Sequence, residues 1–459
     1  MIEKKIQIEF DSGTLVLTGT KKQLSPAINY ITFDERINAF RAEAQAYPQI
    51  ILALHHAGIE YKDDARKYSE LSLHFNPQFN PRNYQTEALT DWEKTGRGVI
   101  VMPTGSGKSF LANMIISEIR RSTLIVVPTI DLMQQWATTI ERDFNIHTGM
   151  IGGGENDLQD ITVTTYDSAA MRMDFMGNRF GLIIFDECHH LPGEIYKTAA
   201  EMCIAPFRLG LTATLERTDG GEQLICKLIG DVAHRIEIDE LEGNTLAPYQ
   251  TKTFPISLTQ EEKLEYDSTR KIYTDFLRQN SIDFRTHNWG YFIAMCCRRQ
   301  GGRDALKAYM KQKQIARNCK SKFDAVWKLL KKYAGRKIII FTADNDTAYR
   351  MGKEFLLPVL THHTKARERK EMLDMFRSNE YTVLMTSNVL NEGIDVPEAS
   401  VGIIVSGTGS IREHVQRLGR ILRPAKGKQA VLYELVSSDT SEEYISKRRR
   451  EHRAYQKSY

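Results

Sequence analysis

Residues 99–109 have the sequence Val-Ile-Val-Met-Pro-Thr-Gly-Ser-Gly-Lys-Ser, and a helix-like stretch rich in apolar residues follows them. A strand, a glycine-rich turn and a helix start form a phosphate-binding loop, because the amides of such a turn converge on phosphate oxygens. The pattern predicts that Lys108 reaches the β- and γ-phosphates and that the Ser109 hydroxyl binds Mg²⁺. The other predicted phosphate contacts are Thr104, Gly105, Ser106 and Gly107. Met102 replaces the first glycine of the general pattern, so the interpretation needs a second site.

A second apolar run, at residues 182–185, ends in Asp186 and Glu187. Buried parallel strands read as continuous apolar runs, and ligands bind at their carboxyl ends, so these carboxylates are expected beside the phosphate loop. Asp186 is expected to bind the metal through its water shell, and Glu187 to align and deprotonate the attacking water. Two acids that only cap the following helix are an alternative. A zinc site at 188–190 is a weaker one, because neighbouring residues of an extended segment point to opposite faces.

Length and composition favour an ordinary globular protein. The chain has 459 residues, of which 41% are hydrophobic and 26% are charged. This length predicts two or three domains, and no apolar stretch approaches the roughly 20 residues of a membrane span. The N-terminus lacks the apolar core of a secretion signal, and six cysteines without framework spacing favour a reducing compartment. A cytoplasmic protein is therefore expected.

Positive charge is concentrated in one segment, although the net charge is only +4. Residues 260–332 contain 17 Lys and Arg against eight Asp and Glu, and another basic cluster lies at 447–453. Such a local surplus predicts a polyanionic partner, with solvated helix faces as the alternative.

The chain divides into segments with different periodicities. Residues 1–75 predict a small α+β domain, in which a strand-turn-strand pattern precedes helix-like periodicity from about 40 to 55. Short apolar runs that alternate with helical periodicity predict a doubly wound parallel sheet at 82–241 and another at 242–459. Within the latter, apolar residues at three- and four-residue steps predict a mostly helical insertion at 258–315. The predicted fold class is therefore α/β.

Three arginines near the C-terminus, at 417, 420 and 423, recur at three-residue spacing. On a helix this spacing puts them on one face. Arg420 and Arg423 are expected to reach across an interdomain cleft to the γ-phosphate, where cations neutralise the charge that develops on the transferred group. An arginine face paired with surface acids is the alternative.

Together these motifs resemble those of superfamily 2 helicases, and most closely those of archaeal members of the XPB family. The matching segments, in chain order, are Arg82–Gln85, Pro103–Ser109, Asp186–His189, Leu211–Thr214, Glu392–Val396 and Gln416–Arg423. The resemblance covers 82–436, and the N-terminal residues more weakly. It implies two RecA-like domains, with the insertion at 258–315 as a thumb and residues 1–75 as a damage-recognition domain.

The resemblance also implies roles for single residues. Adenine recognition is implied for Gln85 with Arg82, and coupling of the nucleotide state to domain closure for Thr212, Ala213 and Thr214. In the second domain, nucleotide contact is implied for Gly393 and Asp395, and placement of the water for Gln416. Contacts with nucleic-acid phosphates are implied for Thr129, Thr164, Thr165, Thr386 and Ser387, with helix capping as the alternative. Arg217-Thr218-Asp219 stands where the family has an Arg-Glu-Asp strand-separation element, so the central acid is absent.

These features predict an ATPase that uses ATP and Mg²⁺ to move on double-stranded and single-stranded DNA and to open the duplex. The resemblance implies 3'-5' polarity, a role in nucleotide excision repair or transcription, a nuclease partner and association with the nucleoid. A monomer or heterodimer without membrane contact is expected. Two other classes stay open: an RNA-unwinding DExH ATPase, and a nucleic-acid-binding scaffold whose ATP site only switches conformation.

Overall fold

The computed structural model describes residues 5–215, 220–236, 240, 249–387, 399–407 and 430–450. The chain forms two compact units, Met1–Glu240 and Leu241–Tyr459. Three sheets of five, eight and six strands organise them. Within the described ranges, no helix is both long enough and apolar enough to cross a membrane.

The N-terminal residues form the small sheet. Its elements are β1 (Ile6–Asp11), β2 (Thr14–Thr18), β3 (Thr32–Asp34), β4 (Ala39–Glu43), helix α1 (Tyr47–His56) and β5 (Tyr61–Asp63). The strand order is β3-β4-β2-β1-β5, in which β1 and β2 form the predicted hairpin and β5 lies parallel to β1. The prediction of a helix from about residue 40 was wrong for β4. Phe40 and Ala42 are buried while Arg41 between them is partly exposed, which is the two-residue alternation of a strand.

The large sheet of the first unit follows. Its strands are β6 (Arg97–Val101), β7 (Thr123–Val127), β8 (Gly149–Gly152), β9 (Glu155–Asn156), β10 (Ile161–Thr165), β11 (Leu182–Asp186), β12 (Phe207–Thr212) and β13 (Val232–Arg235). Its helices are α2 (Asn83–Glu93), α3 (Lys108–Ile119), α4 (Ile130–Phe144), α5 (Tyr166–Met176), α6 (Thr198–Glu201) and α7 (Glu222–Leu228).

The order of this sheet is β13-β6-β12-β11-β7-β10-β8-β9. All neighbouring pairs are parallel except β8 with β9. The central strands β7, β10 and β11 are buried along their whole length. β7 and β11 are the nearly continuous apolar runs expected of strands covered on both faces, whereas three of the five residues of β10 are threonines. The predicted doubly wound parallel sheet is thus confirmed, and the carboxyl ends of its parallel strands share one edge.

The second unit contains the six-stranded sheet. Its strands are β14 (Tyr249–Ile256), β15 (Ile338–Phe341), β16 (Val359–Leu360), β17 (Val383–Thr386), β18 (Val401–Ile404) and β19 (Ala430–Ser437). Its helices are α8 (Gln260–Gln279), α9 (Trp289–Arg298), α10 (Gly302–Arg317), α11 (Lys320–Lys332), α12 (Asn345–Phe355), α13 (Ala366–Arg377) and α14 (Ser441–Arg450). The order is β14-β19-β18-β15-β17-β16, and every neighbouring pair is parallel.

Helices α8, α9 and α10 form the predicted helical insertion, which follows β14 in the chain. They have a small core of their own, in which Phe276, Phe292 and Ala305 are buried. Helix α11 differs, because Phe323 and Val326 pack into the core of the sheet itself.

Candidate active site

The loop after β6 has the geometry of a phosphate-binding turn. Gly105 and Gly107 have φ values of +85° and +87°, in the left-handed region that favours glycine. Helix α3 begins at Lys108, so its first turn of unpaired backbone amides follows the loop directly and includes Ser109. Met102 N, at the start of the loop, donates to the carbonyl of Thr212 at 2.9 Å. This bond holds the loop at the carboxyl edge of the sheet.

Side chains from the start of α2 hold the loop from the other side. Gln85 Nε2 donates to the carbonyls of Ser106 and Gly107 at 3.2 and 3.3 Å, and Gln85 Oε1 accepts from Arg82 N at 3.0 Å. Tyr84 OH donates to the same Ser106 carbonyl at 2.7 Å and accepts from Arg82 Nη1 at 3.0 Å. The predicted adenine-contacting residues are thus bonded to the phosphate loop, and Tyr84 joins them.

The polar groups of the loop suit a polyphosphate. The ammonium of Lys108 donates to the carbonyl of Met102 at 3.2 Å, a bond internal to the loop. The Ser106 hydroxyl donates to the carbonyl of Pro103 at 2.7 Å, which fixes the turn. The buried Thr104 hydroxyl has no hydrogen-bond partner among the described residues. A buried donor without a partner is costly, so this hydroxyl fits a ligand oxygen.

The predicted acid pair stands at the end of β11 on the same edge. Asp186 and Glu187 are 6% and 8% exposed, so both carboxylates are nearly enclosed. Asp186 Oδ2 accepts from the indole nitrogen of Trp136 at 2.8 Å, and Oδ1 accepts from Glu187 N at 3.0 Å. These bonds fix the carboxylate that is predicted to hold the metal.

Glu187 has a strained backbone. Its φ of +49° and ψ of +52° lie in the left-handed region, which a residue with a side chain occupies only at a cost of about 1–2 kcal/mol. Such strain clusters at functional sites. Glu187 Oε2 is buried, has no hydrogen bond among the described residues, and lies 3.4 Å from His189 Nδ1.

His189 links the acid pair to the end of β12. Its Nδ1 lies 3.1 Å from Thr212 Oγ1. The Thr212 hydroxyl donates to the carbonyl of Thr214 at 2.7 Å, so it can accept from a protonated His189 Nδ1. Thr214 N in turn donates to Thr212 Oγ1 at 3.2 Å, and the buried Thr214 hydroxyl has no hydrogen-bond partner within the described ranges. Ala213 between them is buried. The predicted coupling segment is therefore linked to Glu187, the predicted base, through His189.

Cys188, which lies between Glu187 and His189, is not a reactive thiol. Cys188 is fully buried, and burial raises the pKa of its thiol well above the usual value, with a further contribution from the Glu187 carboxylate. A neutral buried thiol is a poor metal ligand. No group of three or more His, Cys, Asp and Glu side chains suited to a metal occurs in the described part of the chain. A zinc site at 188–190 thus finds no support.

Two residues predicted to contact nucleic acid cap helices. Thr129 Oγ1 accepts from Leu132 N at 3.3 Å at the start of α4, and Thr165 Oγ1 accepts from Ser168 N at 3.3 Å at the start of α5. The capping alternative therefore describes both side chains in this conformation. Contact with nucleic acid stays a prediction for them.

The other three are buried. The Thr164 hydroxyl donates to the carbonyl of Ile151 at 2.8 Å, and the Thr386 hydroxyl to that of Ser387 at 3.0 Å. Thr164 and Thr386 are fully buried, and Ser387 is 2% exposed. Their side chains do not face solvent in this conformation, and their contact with DNA also stays a prediction.

Several predicted site residues lie outside the described residues. These are Arg217, Thr218, Asp219, Gly393, Asp395, Gln416, Arg420 and Arg423.

A phosphate loop, a neighbouring buried acid pair at the same edge of a parallel sheet and a second parallel sheet define the class of two-domain nucleoside triphosphatases. Three family models match the chain. The damage recognition domain of the Xeroderma pigmentosum group B helicase matches residues 8–65, the res subunit of type III restriction enzymes 78–217, and the ERCC3/RAD25/XPB C-terminal helicase 303–457.

Whole-chain similarity agrees with these matches. The chain is 45% identical to "DNA 3'-5' translocase XPB2" of Sulfurisphaera tokodaii, over 81% of this chain and 84% of that protein. It is 27% identical to "DNA 3'-5' helicase XPB" of Mycobacterium tuberculosis, over 96% of this chain and 76% of that protein. The chain therefore belongs to the XPB family of superfamily 2 helicases and translocases.

A solved structure supports the same fold. The Pyrococcus furiosus Hef helicase domain superposes with a TM-score of 0.51 at 18% identity, and the match covers 80% of this chain and 97% of that one. The prediction of two RecA-like domains is thereby confirmed.

Proposed function

We propose that this chain hydrolyses ATP to move 3'-5' on duplex DNA and to open it. The observation that supports ATP hydrolysis is the position of the buried Glu187 carboxylate, at the edge of the sheet that holds the phosphate loop. One of its oxygens has no hydrogen bond among the described residues, so it is available to a water. The proposed DNA substrate and 3'-5' polarity are supported by the relatives, which are named as DNA 3'-5' translocases and helicases.

The residues of the first unit divide the work. Lys108 and the amides at the start of α3 bind the β- and γ-phosphates. Ser109 and Asp186 would hold Mg²⁺, which when bound supplies positive charge to the phosphate oxygens. Trp136 keeps the Asp186 carboxylate in place through its 2.8 Å hydrogen bond. Glu187 aligns the attacking water and accepts its proton.

The second unit is proposed to complete the site. By the family resemblance, Gly393 and Asp395 contact the nucleotide, Gln416 helps to place the water, and Arg420 and Arg423 stabilise the transferred phosphoryl group. Closure would then depend on the γ-phosphate, and its loss on hydrolysis would move one lobe relative to the other along the DNA.

The helical insertion carries features suited to DNA. Trp289 and Tyr291 are 41% and 39% exposed, and Lys313 Nζ lies 4.3 Å from the centre of the Tyr309 ring. Aromatic faces next to cations bind the backbone and bases of nucleic acids without reading sequence. We therefore expect sequence-independent binding that weakens steeply with salt, because phosphate contacts release counterions.

The cellular setting is proposed from the resemblance alone. We propose a cytoplasmic, nucleoid-associated protein that acts in DNA repair with a nuclease partner, for which the N-terminal domain and the thumb would be the docking surfaces. Sedimentation velocity of the chain alone and mixed with such a nuclease tests the proposed monomer and heterodimer.

Hydrolysis assays with different nucleic acids test the central proposal. We expect duplex DNA to raise the steady-state ATPase rate and duplex RNA to leave it unchanged. Glu187→Gln should bind ATP and lose about 10²–10⁴-fold in turnover, the usual contribution of a general base. The matched control is Glu194→Gln, whose side chain is 91% exposed and pairs only with Lys197 among the described ion pairs.

The outcomes separate the competing classes. Stimulation by RNA and not by DNA would favour the RNA helicase. If the unmodified chain binds ATP without measurable turnover, that result would favour a scaffold with an ATP switch. Normal turnover in Glu187→Gln would remove Glu187 from the role of base.

A further inference from the structure

A buried ion pair joins helices of the second unit to the edge of its sheet. Lys322 of α11 is fully buried, and its Nζ donates to Glu442 Oε2 at 2.6 Å and to the carbonyl of Val405 at 2.7 Å. Ser437 N donates to the same Glu442 oxygen at 3.1 Å. Val405 follows β18, and Ser437 ends β19. The pair therefore holds the carboxyl ends of two neighbouring strands.

The turn after β19 also binds the first and last helices of the insertion. Tyr266 of α8 is fully buried, and its hydroxyl accepts from Ser441 N at 2.9 Å. The Ser437 hydroxyl donates to the carbonyl of Ala316, near the end of α10, at 2.6 Å. These contacts define a base joint, which consists of Tyr266, Ala316, Lys322, Ser437 and Glu442.

Stability alone is a poor reason for such a joint. Removing two charges from water is expensive, and replacing a buried ion pair by uncharged residues of similar volume is often neutral or stabilising. The charges instead add specificity, because Lys322 and Glu442 hydrogen-bond to each other and to two backbone groups in a single arrangement. The ion pair therefore fixes α11 and α14 at the ends of β18 and β19, and the contacts of Tyr266 and Ala316 attach the insertion to the same place.

The base joint contacts the carboxyl edge of the sheet, which is where α/β sheets bind their ligands. Ser406, next to Val405, accepts a hydrogen bond from Ala343 N at 2.9 Å. Thr342 N donates to the carbonyl of Thr386 at 2.9 Å. The strand ends from β18 to β17 are thus bonded to one another, up to the residue that is predicted to contact DNA.

We propose that Lys322, Glu442 and Tyr266 are positioning residues that make the thumb and this strand edge move as one body. DNA that engages the thumb then displaces the edge with it, and hydrolysis becomes coupled to DNA. The inference rests on the proposed function, because it requires that DNA stimulates the ATPase. None of the three residues is assigned a contact with ATP or DNA.

The test variant is the double substitution Lys322→Met and Glu442→Gln. It removes both charges together, so no lone buried charge remains, and the glutamine oxygen can still accept from Ser437 N. The matched control is Arg367→Met with Glu371→Gln, an ion pair of α13 whose side chains are 92% and 61% exposed. Tyr266→Phe is the second variant, since it removes one hydroxyl and keeps the ring.

We expect the double variant to melt within about 3 °C of wild type, with DNA affinity and DNA-free turnover changed less than about twofold. DNA-stimulated turnover should fall about tenfold at unchanged KM for ATP, because the edge is no longer placed by the thumb. Tyr266→Phe should show the same split to a smaller degree, and the control should match wild type. Hydrogen exchange without DNA should be faster in α8 of both joint variants.

Three results would overturn the proposal. They are full DNA stimulation in the double variant, an equal fractional loss of DNA-free and DNA-stimulated turnover, and unchanged exchange in α8. A wild-type chain whose ATPase ignores DNA would instead overturn the proposed function. The exchange measurement would then still decide whether the joint holds the insertion.

Discussion

His189 Nδ1 lies 3.1 Å from Thr212 Oγ1, so the loop that follows the predicted acid pair and the strand that leads to Thr214 share a direct contact. The same nitrogen is 3.4 Å from Glu187 Oε2. One buried imidazole therefore lies against both the proposed base and the predicted coupling segment. This link between the two motifs gives the first prediction.

Removal of this contact should slow hydrolysis and spare nucleotide binding. In His189→Ala, Glu187 Oε2 loses the imidazole that lies 3.4 Å from it, and we expect turnover to fall about 10- to 100-fold with little change in KM for ATP. Thr212→Val should also slow turnover, and the loss in the double variant should be smaller than the product of the two single losses, because both substitutions remove the His189–Thr212 contact. Steady-state ATPase assays measure this.

The control for that prediction is His147→Ala. His147 belongs to the same unit, and its side chain is 68% exposed, with Nε2 2.6 Å from Asp157. Its removal should leave turnover unchanged. Additive losses in His189→Ala and Thr212→Val would contradict a shared contact.

A second prediction concerns the residue that holds Asp186, the carboxylate proposed to bind the metal. Trp136→Phe removes the indole N–H that donates to Asp186 Oδ2, and the cost of the lost buried bond is about 1–3 kcal/mol of unfolding free energy. Because Oδ2 then loses this donor while Oδ1 keeps its bond to Glu187 N, the carboxylate is held less firmly, and we also expect a higher Mg²⁺ concentration for half-maximal ATPase activity. Denaturant unfolding and Mg²⁺ titrations measure the two effects.

Trp92→Phe is the matched control. Trp92 is also fully buried, but its indole donates to the carbonyl of Arg208 at 3.1 Å rather than to a carboxylate. A similar loss of stability with an unchanged Mg²⁺ requirement is expected. If both variants changed the Mg²⁺ requirement equally, Trp136 would have no special role.

Strands were predictable where a chemical pattern was local. The buried strand β11 was predicted almost to the residue from the run at 182–185, because continuous apolar residues suit strands covered on both faces. β14 was missed because it lies at the sheet edge, reads as mixed polar and apolar, and contains Pro255. An edge strand tolerates proline, so sequence pattern alone argues against a strand that does form.

The site shows the same division. The phosphate loop and the acid pair were predictable, because each is a contiguous motif with one chemical purpose. Trp136 was not, since it is 50 residues from Asp186 in the chain and helical periodicity explains it equally well as core. Side chains that position a site from a distance leave no local signal. The role of Tyr84 as a clamp on the Ser106 carbonyl was missed for that reason.

A third prediction tests the clamp on the phosphate loop. A Cβ at Gly107 would lie 2.5 Å from Gln85 Nε2, and the φ of +87° adds backbone strain. Gly107→Ala should therefore push Gln85 from the loop carbonyls and weaken ATP binding at least about tenfold, because the loop then loses the hydrogen bonds from Gln85 that hold it. Fluorescent ATP-analogue titration measures the affinity.

Gly154→Ala separates strain from the clash. Gly154 also has a positive φ, +99°, but a Cβ there meets no heavy atom within 4 Å. It should cost about 1 kcal/mol of unfolding free energy and leave ATP affinity unchanged. Weakened binding in this control would mean that strain alone explains Gly107→Ala.

A fourth prediction concerns a buried cation away from the site. Arg208 of β12 is fully buried, and burial lowers the pKa of its guanidinium to about 10, so it stays charged at neutral pH. Its donors reach four carbonyls, at 2.6 to 3.2 Å, within α6, in the segment directly after it and at the end of α7. The acceptors are Ala200, Cys203, Ala205 and Leu228.

Arg208→Met should be severely destabilising, because it fills the volume but leaves these carbonyls without the shared donor. We expect a loss of about 4 kcal/mol, in the range reserved for broken buried networks. Arg97→Met is the control, since Arg97 is only partly buried and its bonds to the carbonyls of Ile229 and Leu228 are longer, 3.3 and 3.4 Å. It should lose about 1 kcal/mol. Urea unfolding of the full chain measures both, and equal losses would show that the carbonyl cluster around Arg208 is satisfied in another way.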